Sequence, residues 1–161
     1  MKTGNFPRAV IEGVGGYEFP YTVTPEDWLI SITNSCGDDA KVQAPFGRVL
    51  FLQFNDTDKV GKGEIHDDQA AEIANFIKAA REQQKNVWVN CHAGICRSGA
   101  VVSLLIDLGW ESAESYLSPG RIPNHLVYDK VRKHFPEVSQ SWDKPGIILP
   151  ETDIWVAAKG W

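Results

Sequence analysis

The segment CHAGICRS, which covers residues 91–98, places two cysteines, a histidine and an arginine within seven positions. A tight turn between a strand and a helix directs successive backbone N–H groups at one point, and such a point binds anions. In this turn Arg97 has the forked guanidinium that grips two oxygens of a phosphate, and the positive field favours the thiolate form of Cys91. A thiolate that faces a bound phosphate is a nucleophile aimed at phosphorus. The residue types therefore predict a phosphocysteine intermediate and a released alcohol.

The other positions of the loop fit the same chemistry. Gly94 provides the backbone freedom that the turn needs, and the Ser98 hydroxyl is placed to donate to the sulfur as it leaves. The side chain of His92 either contacts the substrate or stays exposed and uninvolved, and the residues alone leave both interpretations open. We expect the phosphate to be surrounded by His92, Ala93, Gly94, Ile95, Cys96 and Arg97.

Short segments rich in β-branched and aromatic residues alternate with longer amphipathic ones, which predicts strands that alternate with helices. The predicted strands cover residues 8–14, 28–33, 48–54 and 86–90, and the predicted helices cover residues 67–84, 98–110 and 123–135. This order predicts an α/β domain with a central, mostly parallel sheet of four to five strands flanked by helices. We expect one domain over residues 1–161, in which residues 136–161 form an irregular C-terminal strap.

Length and composition exclude several classes of protein. The 161 residues carry a net charge of -5, which argues against a nucleic-acid partner because phosphate contacts call for a basic face. The three cysteines suit neither a disulfide framework nor a zinc site, and no segment is apolar enough to span a membrane. The N-terminal segment lacks the apolar core of a secretory signal. We therefore expect a cytoplasmic, monomeric protein without a membrane partner.

The segment CHAGICRSG resembles the Cys-x5-Arg-Ser/Thr loop of the cysteine-dependent protein tyrosine phosphatase superfamily. Its position after a helix and a strand is similar to that in the dual-specificity phosphatases, particularly small bacterial and phage-type members. The likeness runs from about residue 28 to 135 and includes VLFLQFNDTD and PGRIPNHLVYDKV, the second of which resembles the family's segment before its last helix. The resemblance implies the phosphatase-like fold and no cofactor. It also implies that the substrate is a phosphorylated protein or a small phosphomonoester.

The resemblance implies a role for each of three residues. Cys91 is the nucleophile, Arg97 binds the phosphate, and Asp56, by the match of FNDTD, is the general acid and then the general base. A general acid belongs on a mobile loop beside the pocket, and Asp56 directly follows a predicted strand at its carboxyl end. Asp58 lies two residues further on and is a serious rival. Asp67 and Asp68, beside His66, are better explained as the start of a helix than as acids or metal ligands.

The sequence leaves the roles of three further residues undecided. Asn124 either braces the phosphate loop, as the resemblance implies, or simply begins a helix. Asn90 stands where most family members have a histidine that orders the loop, although an asparagine side chain can still bond backbone groups. Cys96 has the placement seen in the low-molecular-weight tyrosine phosphatases, where by resemblance it forms a reversible disulfide with the nucleophile. The alternative for Cys96 is a small buried residue without a redox role.

These observations predict a metal-independent phosphomonoester hydrolase, either a protein tyrosine phosphatase or a dual-specificity phosphatase. One alternative is a phosphate-binding pseudophosphatase that recognises a partner without turning it over, although Cys91 and Arg97 are both retained. Another is a rhodanese-like sulfurtransferase or a thiol redox protein, which also places a cysteine at the end of a strand. The Arg97–Ser98 pair at the head of a helix favours phosphate over sulfur chemistry.

Overall fold

A computed structural model of the chain describes residues 1–138, and the predicted strap over residues 136–161 therefore lies mostly outside the described residues. The helices and strands follow one another in the order β1 (Lys2–Pro7), α1 (Arg8–Glu12), β2 (Asp27–Thr33), β3 (Arg48–Gln53), α2 (Asp67–Glu82), β4 (Asn86–Cys91), α3 (Arg97–Asp107), β5 (Glu111–Ser112) and α4 (His125–Arg132). No helix among the described residues is long and apolar enough to cross a membrane.

The five strands form one sheet in the order β3-β2-β4-β1-β5, and every neighbouring pair is parallel. The predicted α/β domain with a mostly parallel sheet is confirmed. In a parallel sheet all carboxyl ends meet at one edge, so the loops that follow β2, β3 and β4 are brought together there. This edge is where the CHAGICRS loop lies.

Helices α2, α3 and α4 cover one face of the sheet. The buried positions of α2 recur at helical spacing, from Ala70 through Ile73 and Ile77 to Ala80, and pack into the main core. Helix α3 is buried over its first nine residues, as its continuous apolar sequence indicates. The N-cap of α2 is His66, so Asp67 and Asp68 stand in its first turn and not at the cap.

The prediction of a strand over residues 8–14 is wrong. The strand at that end of the chain is β1, and the segment that follows it forms α1, which ends at Gly13 in a left-handed conformation with φ of 64°. Two apolar residues of α1, Val10 and Ile11, pack on the second face of the sheet with Phe6, Leu29 and Trp88. A short apolar run looks alike in a strand and in a buried helical turn, which explains the error.

Candidate active site

The CHAGICRS loop connects the last residue of β4, Cys91, to the first residue of α3, Arg97. The turn depends on Gly94, whose φ is +74°. A β-carbon at this position would lie 2.3 Å from the backbone nitrogen of Pro7 and 2.4 Å from the carbonyl carbon of Phe6. The loop therefore rests directly on the end of β1, and only glycine fits there.

Cys91 and Ser98 lie side by side at this junction. Both are fully buried, and Cys91 Sγ lies 3.1 Å from Ser98 Oγ. When the sulfur is ionised it has no proton to give, so the serine hydroxyl becomes the donor. The structure thus places the serine next to the sulfur, as the role predicted for Ser98 requires.

The loop is held by its carbonyl groups. The Gly94 carbonyl accepts a bond of 2.6 Å from Nδ2 of Asn5, and the Ile95 carbonyl accepts one of 3.2 Å from the Ile122 N–H. The Cys96 carbonyl accepts a bond of 3.0 Å from the Asn124 N–H. These bonds come from β1 and from the segment before α4, so the loop is braced from both sides.

The loop also contains a series of backbone N–H groups that the described part of the fold does not use. Among residues 1–138, no acceptor is found for the N–H groups of Ala93, Gly94, Ile95 and Cys96. Buried or half-buried donors without an acceptor are costly, and a bound anion would satisfy several at once. The side chain of His92 is exposed at the start of this series, and its carbonyl accepts a bond from the Arg8 N–H.

The guanidinium of Arg97 is buried and oriented by two acceptors. Its Nη1 donates to Asn34 Oδ1 and to the Phe54 carbonyl, each at 2.8 Å. Asn34 directly follows β2 and Phe54 directly follows β3, so the ends of two strands fix one arginine. Asn34 could not be predicted from the sequence, because its contact with Arg97 spans 63 positions.

The loop after β3 is closed on itself by Asn55. The Asn55 N–H donates to the Gly63 carbonyl at 2.6 Å, and its Nδ2 donates to the Lys62 carbonyl at 2.9 Å. Its Oδ1 accepts the Ser35 N–H at 2.9 Å, which ties the loop to the segment after β2. Residues 56–62 therefore form a lobe that is closed at its base and lies beside the CHAGICRS loop.

Asp56 and Asp58 both lie on this lobe, and both are exposed. Asp56 Oδ1 accepts a bond of 2.8 Å from Nδ2 of Asn124, whereas the Asp58 carboxylate makes no hydrogen bond or ion pair with any described residue. The two aspartates border a cleft of about 330 Å³ that is lined by Asp56, Thr57, Asp58, Cys96, Ile122, Pro123, Asn124 and His125. Of the two, only Asp56 is connected to the CHAGICRS loop, through Asn124 and through its interaction with the Cys96 side chain.

Asn124 begins a helix and also contacts the CHAGICRS loop, which were the two alternatives that the sequence left open. Its Oδ1 accepts the Val127 N–H at 3.1 Å, which makes it the N-cap of α4, and its own N–H holds the Cys96 carbonyl. Its side-chain amide faces the lobe after β3 rather than the phosphate loop. The brace on the loop is therefore a backbone contact.

Asn90 stands where most members of the resembled family have a histidine, and among the described residues its side chain does not make the hydrogen bonds predicted for it. The residue is fully buried, and neither polar atom of its side chain has a hydrogen-bond partner among the described residues. The expectation that this amide bonds backbone groups is therefore not met there. An unsatisfied buried polar group costs about 1–3 kcal/mol. Asn90 pairs with Ser31 in the sheet, and the Ser31 hydroxyl is likewise unsatisfied within residues 1–138.

Asn5 and Arg121 are two buried residues to which the sequence assigned no role, although Arg121 lies in the segment PGRIPNHLVYDKV. Asn5 Nδ2 donates to the carbonyls of Gly94 and Gly120, at 2.6 and 2.7 Å, and Asn5 Oδ1 accepts from Arg121 Nη1 at 3.1 Å. Burial lowers the pKa of the Arg121 guanidinium. This support could not be predicted from the sequence, because Asn5 belongs to a strand whose sequence, KTGNFP, has little strand propensity.

The thiol of Cys96 is half-buried, and its surroundings raise its pKa. Burial raises its pKa most, and the negative charges of Asp56 and Cys91 raise it further. Attack on an oxidised sulfur requires a thiolate, so this shift slows any disulfide formation with Cys91 at neutral pH. The redox role of Cys96 stays a prediction, and the direction of the shift determines its pH dependence.

We expect peroxide to inactivate the wild type in a manner that dithiothreitol reverses, and the reversible fraction to grow as the pH of the peroxide step rises. Peroxide converts the Cys91 thiolate to a sulfenic acid, and Cys96 then forms the disulfide with release of water. Because the pKa of Cys96 is raised, its thiolate fraction rises with pH throughout the neutral range. Intact mass should show the loss of two hydrogens in the wild type and irreversible oxidation in Cys96→Ser. Equal recovery of both proteins after reduction would show that Cys96 does not protect the site.

Comparison with known proteins finds similarity at the level of solved structures. No protein-family model and no curated protein matches the chain. The chain is similar to OH1 of the Orf virus, a tyrosine phosphatase with triple substrate specificity, at 21% identity and a TM-score of 0.39. That match covers 63% of this chain and 53% of OH1, so the chain spans about half the length of OH1.

Two human proteins are similar over more of their length. DUSP28 matches 98% of this chain and 89% of its own, at 15% identity and a TM-score of 0.45. The tyrosine phosphatase-like serine/threonine/tyrosine-interacting protein matches 96% of this chain and 86% of its own, at 16% identity and a TM-score of 0.45. The similar structures are tyrosine and dual-specificity phosphatases and their relatives.

Proposed function

We propose that this protein hydrolyses phosphomonoesters through a phosphocysteine intermediate and without a metal ion. The observation that carries the proposal is the loop itself. Its carbonyls are bonded to the rest of the fold, while four successive N–H groups have no acceptor among residues 1–138. The nucleophile Cys91, the serine beside it and the buried Arg97 all stand around the same turn.

The first step transfers the phosphoryl group to the enzyme. Cys91 Sγ attacks phosphorus and forms the S–P bond, while the bond from phosphorus to the ester oxygen breaks. Asp56 gives its proton to that oxygen, so the leaving group departs as an alcohol or a phenol. The loop N–H groups and Arg97 stabilise the charge on the remaining oxygens.

The second step regenerates the thiolate. Water attacks phosphorus, Asp56 accepts a proton from the water, and the S–P bond breaks with its electron pair on sulfur. Ser98 donates a hydrogen bond to that sulfur from 3.1 Å, which stabilises the developing negative charge. The products are inorganic phosphate and the free enzyme.

The substrate class of the proposal is phosphorylated protein, with phosphotyrosine first and phosphoserine and phosphothreonine as the dual-specificity alternative. The Cys-x5-Arg loop supports this class by resemblance. The cleft of about 330 Å³ beside Asp56 lies where a leaving group would reach the acid. Assays on phosphotyrosine, phosphoserine and phosphothreonine peptides of one sequence decide between the two enzyme types.

The proposal is tested by hydrolysis of p-nitrophenyl phosphate in the presence of EDTA, with Arg97→Lys as the matched variant. We expect steady turnover by the wild type with EDTA present. In Arg97→Lys the positive charge remains but the fork is lost, so kcat/KM should fall by about 10²–10³, as when one charge-stabilising donor is removed.

Three other outcomes would contradict the proposal. Phosphate binding without turnover would indicate the pseudophosphatase instead. Transfer of sulfur from thiosulfate to cyanide would indicate a sulfurtransferase. A normal kcat/KM in Arg97→Lys would remove the role assigned to the arginine.

A further inference from the structure

Asn124 joins three parts of the candidate site that are distant in sequence. Its backbone N–H donates to the Cys96 carbonyl of the phosphate loop at 3.0 Å. Its Oδ1 caps α4 by accepting the Val127 N–H at 3.1 Å. Its Nδ2 donates to Asp56 Oδ1 at 2.8 Å and to the Thr57 carbonyl at 3.3 Å. One residue thus contacts the loop that binds phosphate and the lobe that carries the acid.

The cap determines which way the amide is turned. Because the Val127 N–H requires an acceptor, the oxygen of the Asn124 amide must face the helix. The nitrogen then faces Asp56, and both of its N–H groups point at acceptors on the lobe after β3. The assignment of oxygen and nitrogen follows from the hydrogen bonds on both sides.

The amide also distinguishes the two oxygens of Asp56. Oδ1 accepts the bond from Asn124 Nδ2, and in a carboxylic acid the carbonyl oxygen is a better acceptor than the oxygen that carries the proton. The proton is therefore kept on Oδ2. In a carboxylic acid held in this way, only one oxygen can deliver the proton to the leaving group.

We propose that Asn124 is a positioning residue for the general acid, which it orients by holding Oδ1 of Asp56 and leaving the acid proton on Oδ2. The inference rests on the proposed function, in which Asp56 protonates the leaving group. The proposed role is separate from helix capping, because a cap needs only an acceptor. Serine and aspartate cap helices as well as asparagine does, and threonine nearly as well. The N–H groups of the amide serve the lobe alone.

The test is Asn124→Ser, measured with p-nitrophenyl phosphate and with phenyl phosphate. Serine keeps an acceptor for the Val127 N–H and the backbone bond to Cys96, but it is too short to reach Asp56. We expect kcat/KM for phenyl phosphate to fall up to about tenfold, the usual effect of a lost hydrogen bond between neutral groups, because Asp56 is uncharged when it acts as the acid. The loss for p-nitrophenyl phosphate should be smaller, because that leaving group needs less help from an acid.

The double variant Asp56→Asn/Asn124→Ser separates this inference from the function on which it rests. In the Asp56→Asn background there is no acid proton to orient, so Asn124→Ser should cause no further loss that depends on the leaving group. If Asp56→Asn alone shows no leaving-group dependence, the assignment of the acid fails. If Asp56→Asn shows it and Asn124→Ser does not, the acid assignment stands and the role of Asn124 is overturned.

Controls address folding and the phosphate loop. Asn124→Ala loses the helix cap in addition to the contact with Asp56. The difference in thermal unfolding between Asn124→Ala and Asn124→Ser therefore gives the contribution of the cap to stability. Asn124→Thr replaces the serine variant if that protein does not fold, and the same two esters are measured. The inhibition constant for inorganic phosphate should stay close to the wild-type value in both. An equal loss for both esters with weaker phosphate inhibition would place the effect on the phosphate loop and contradict the inference.

Discussion

Cys91→Ser is expected to abolish turnover of p-nitrophenyl phosphate and to leave the binding of inorganic phosphate largely in place. A serine hydroxyl at neutral pH is a far weaker nucleophile than a thiolate, and loss of a catalytic nucleophile lowers kcat by about 10⁶ in a well-studied hydrolase. The groups proposed to bind the anion are elsewhere, in the loop N–H series and in Arg97. Calorimetry with phosphate and a turnover assay measure the two effects separately.

Cys36→Ser is the matched control for this experiment. Cys36 is exposed and lies outside the loop, so the same chemical change there should leave kcat and KM close to the wild-type values. Substantial hydrolysis by Cys91→Ser would overturn the phosphocysteine mechanism. Loss of both turnover and phosphate binding would indicate instead that the substitution disturbs the loop, which unfolding measurements on the variant would reveal.

The part of the site that could be predicted from sequence is the part that is local in sequence. Cys91, Gly94, Arg97 and Ser98 lie within eight positions, and the turn between a strand and a helix fixes their arrangement almost without the rest of the fold. The structure brings the sulfur and the serine hydroxyl together as expected. Strands β2, β3 and β4 were also predictable, because their apolar runs are short and end at polar residues.

Strand β1 could not be predicted because its position in the sheet, not its composition, makes it a strand. The segment KTGNFP includes a glycine and an asparagine, both of which are depleted in strands. It is nevertheless buried from Thr3 to Phe6, since it lies between β4 and β5 and supports the phosphate loop. The position of β1 in the sheet also requires glycine at residue 4, because a β-carbon there would lie 2.7 Å from the Ala113 carbonyl oxygen.

The residues that orient the site were missed for a related reason. Asn34 holds Arg97 across 63 positions, and Asn5 holds the Gly94 carbonyl across 89. An asparagine after a strand or inside one looks the same in sequence whether it faces water or a catalytic arginine. The two cases differ only in whether the strand ends lie together at one edge of a parallel sheet. That arrangement is a property of the whole fold and cannot be seen in a local segment of sequence.

Asp56 and Asp58 are equivalent in sequence but differ in their contacts in the structure. Both aspartates follow β3 and border the same cleft, so sequence spacing does not separate them. Asp56 is bonded to Asn124, whose backbone holds the phosphate loop, and its charge acts on Cys96 within that loop. For Asp58 no such connection is present among residues 1–138. These contacts support the proposal that Asp56, and not Asp58, is the general acid.

Asp56→Asn is expected to lower kcat/KM by about 10²–10⁴, the usual contribution of a general acid, and Asp58→Asn to have little effect. The amide keeps the shape of the carboxyl group and an acceptor for Asn124, but it has no proton to give to the leaving oxygen. The loss should therefore be larger for phenyl phosphate than for p-nitrophenyl phosphate, whose phenolate leaves without full protonation. Because kcat/KM covers the steps up to cleavage of the ester, it reports this dependence even if release of phosphate from Cys91 limits kcat. If the two variants exchange these results, Asp58 is the acid, and the contact between Asn124 and Asp56 then serves only to fix the lobe.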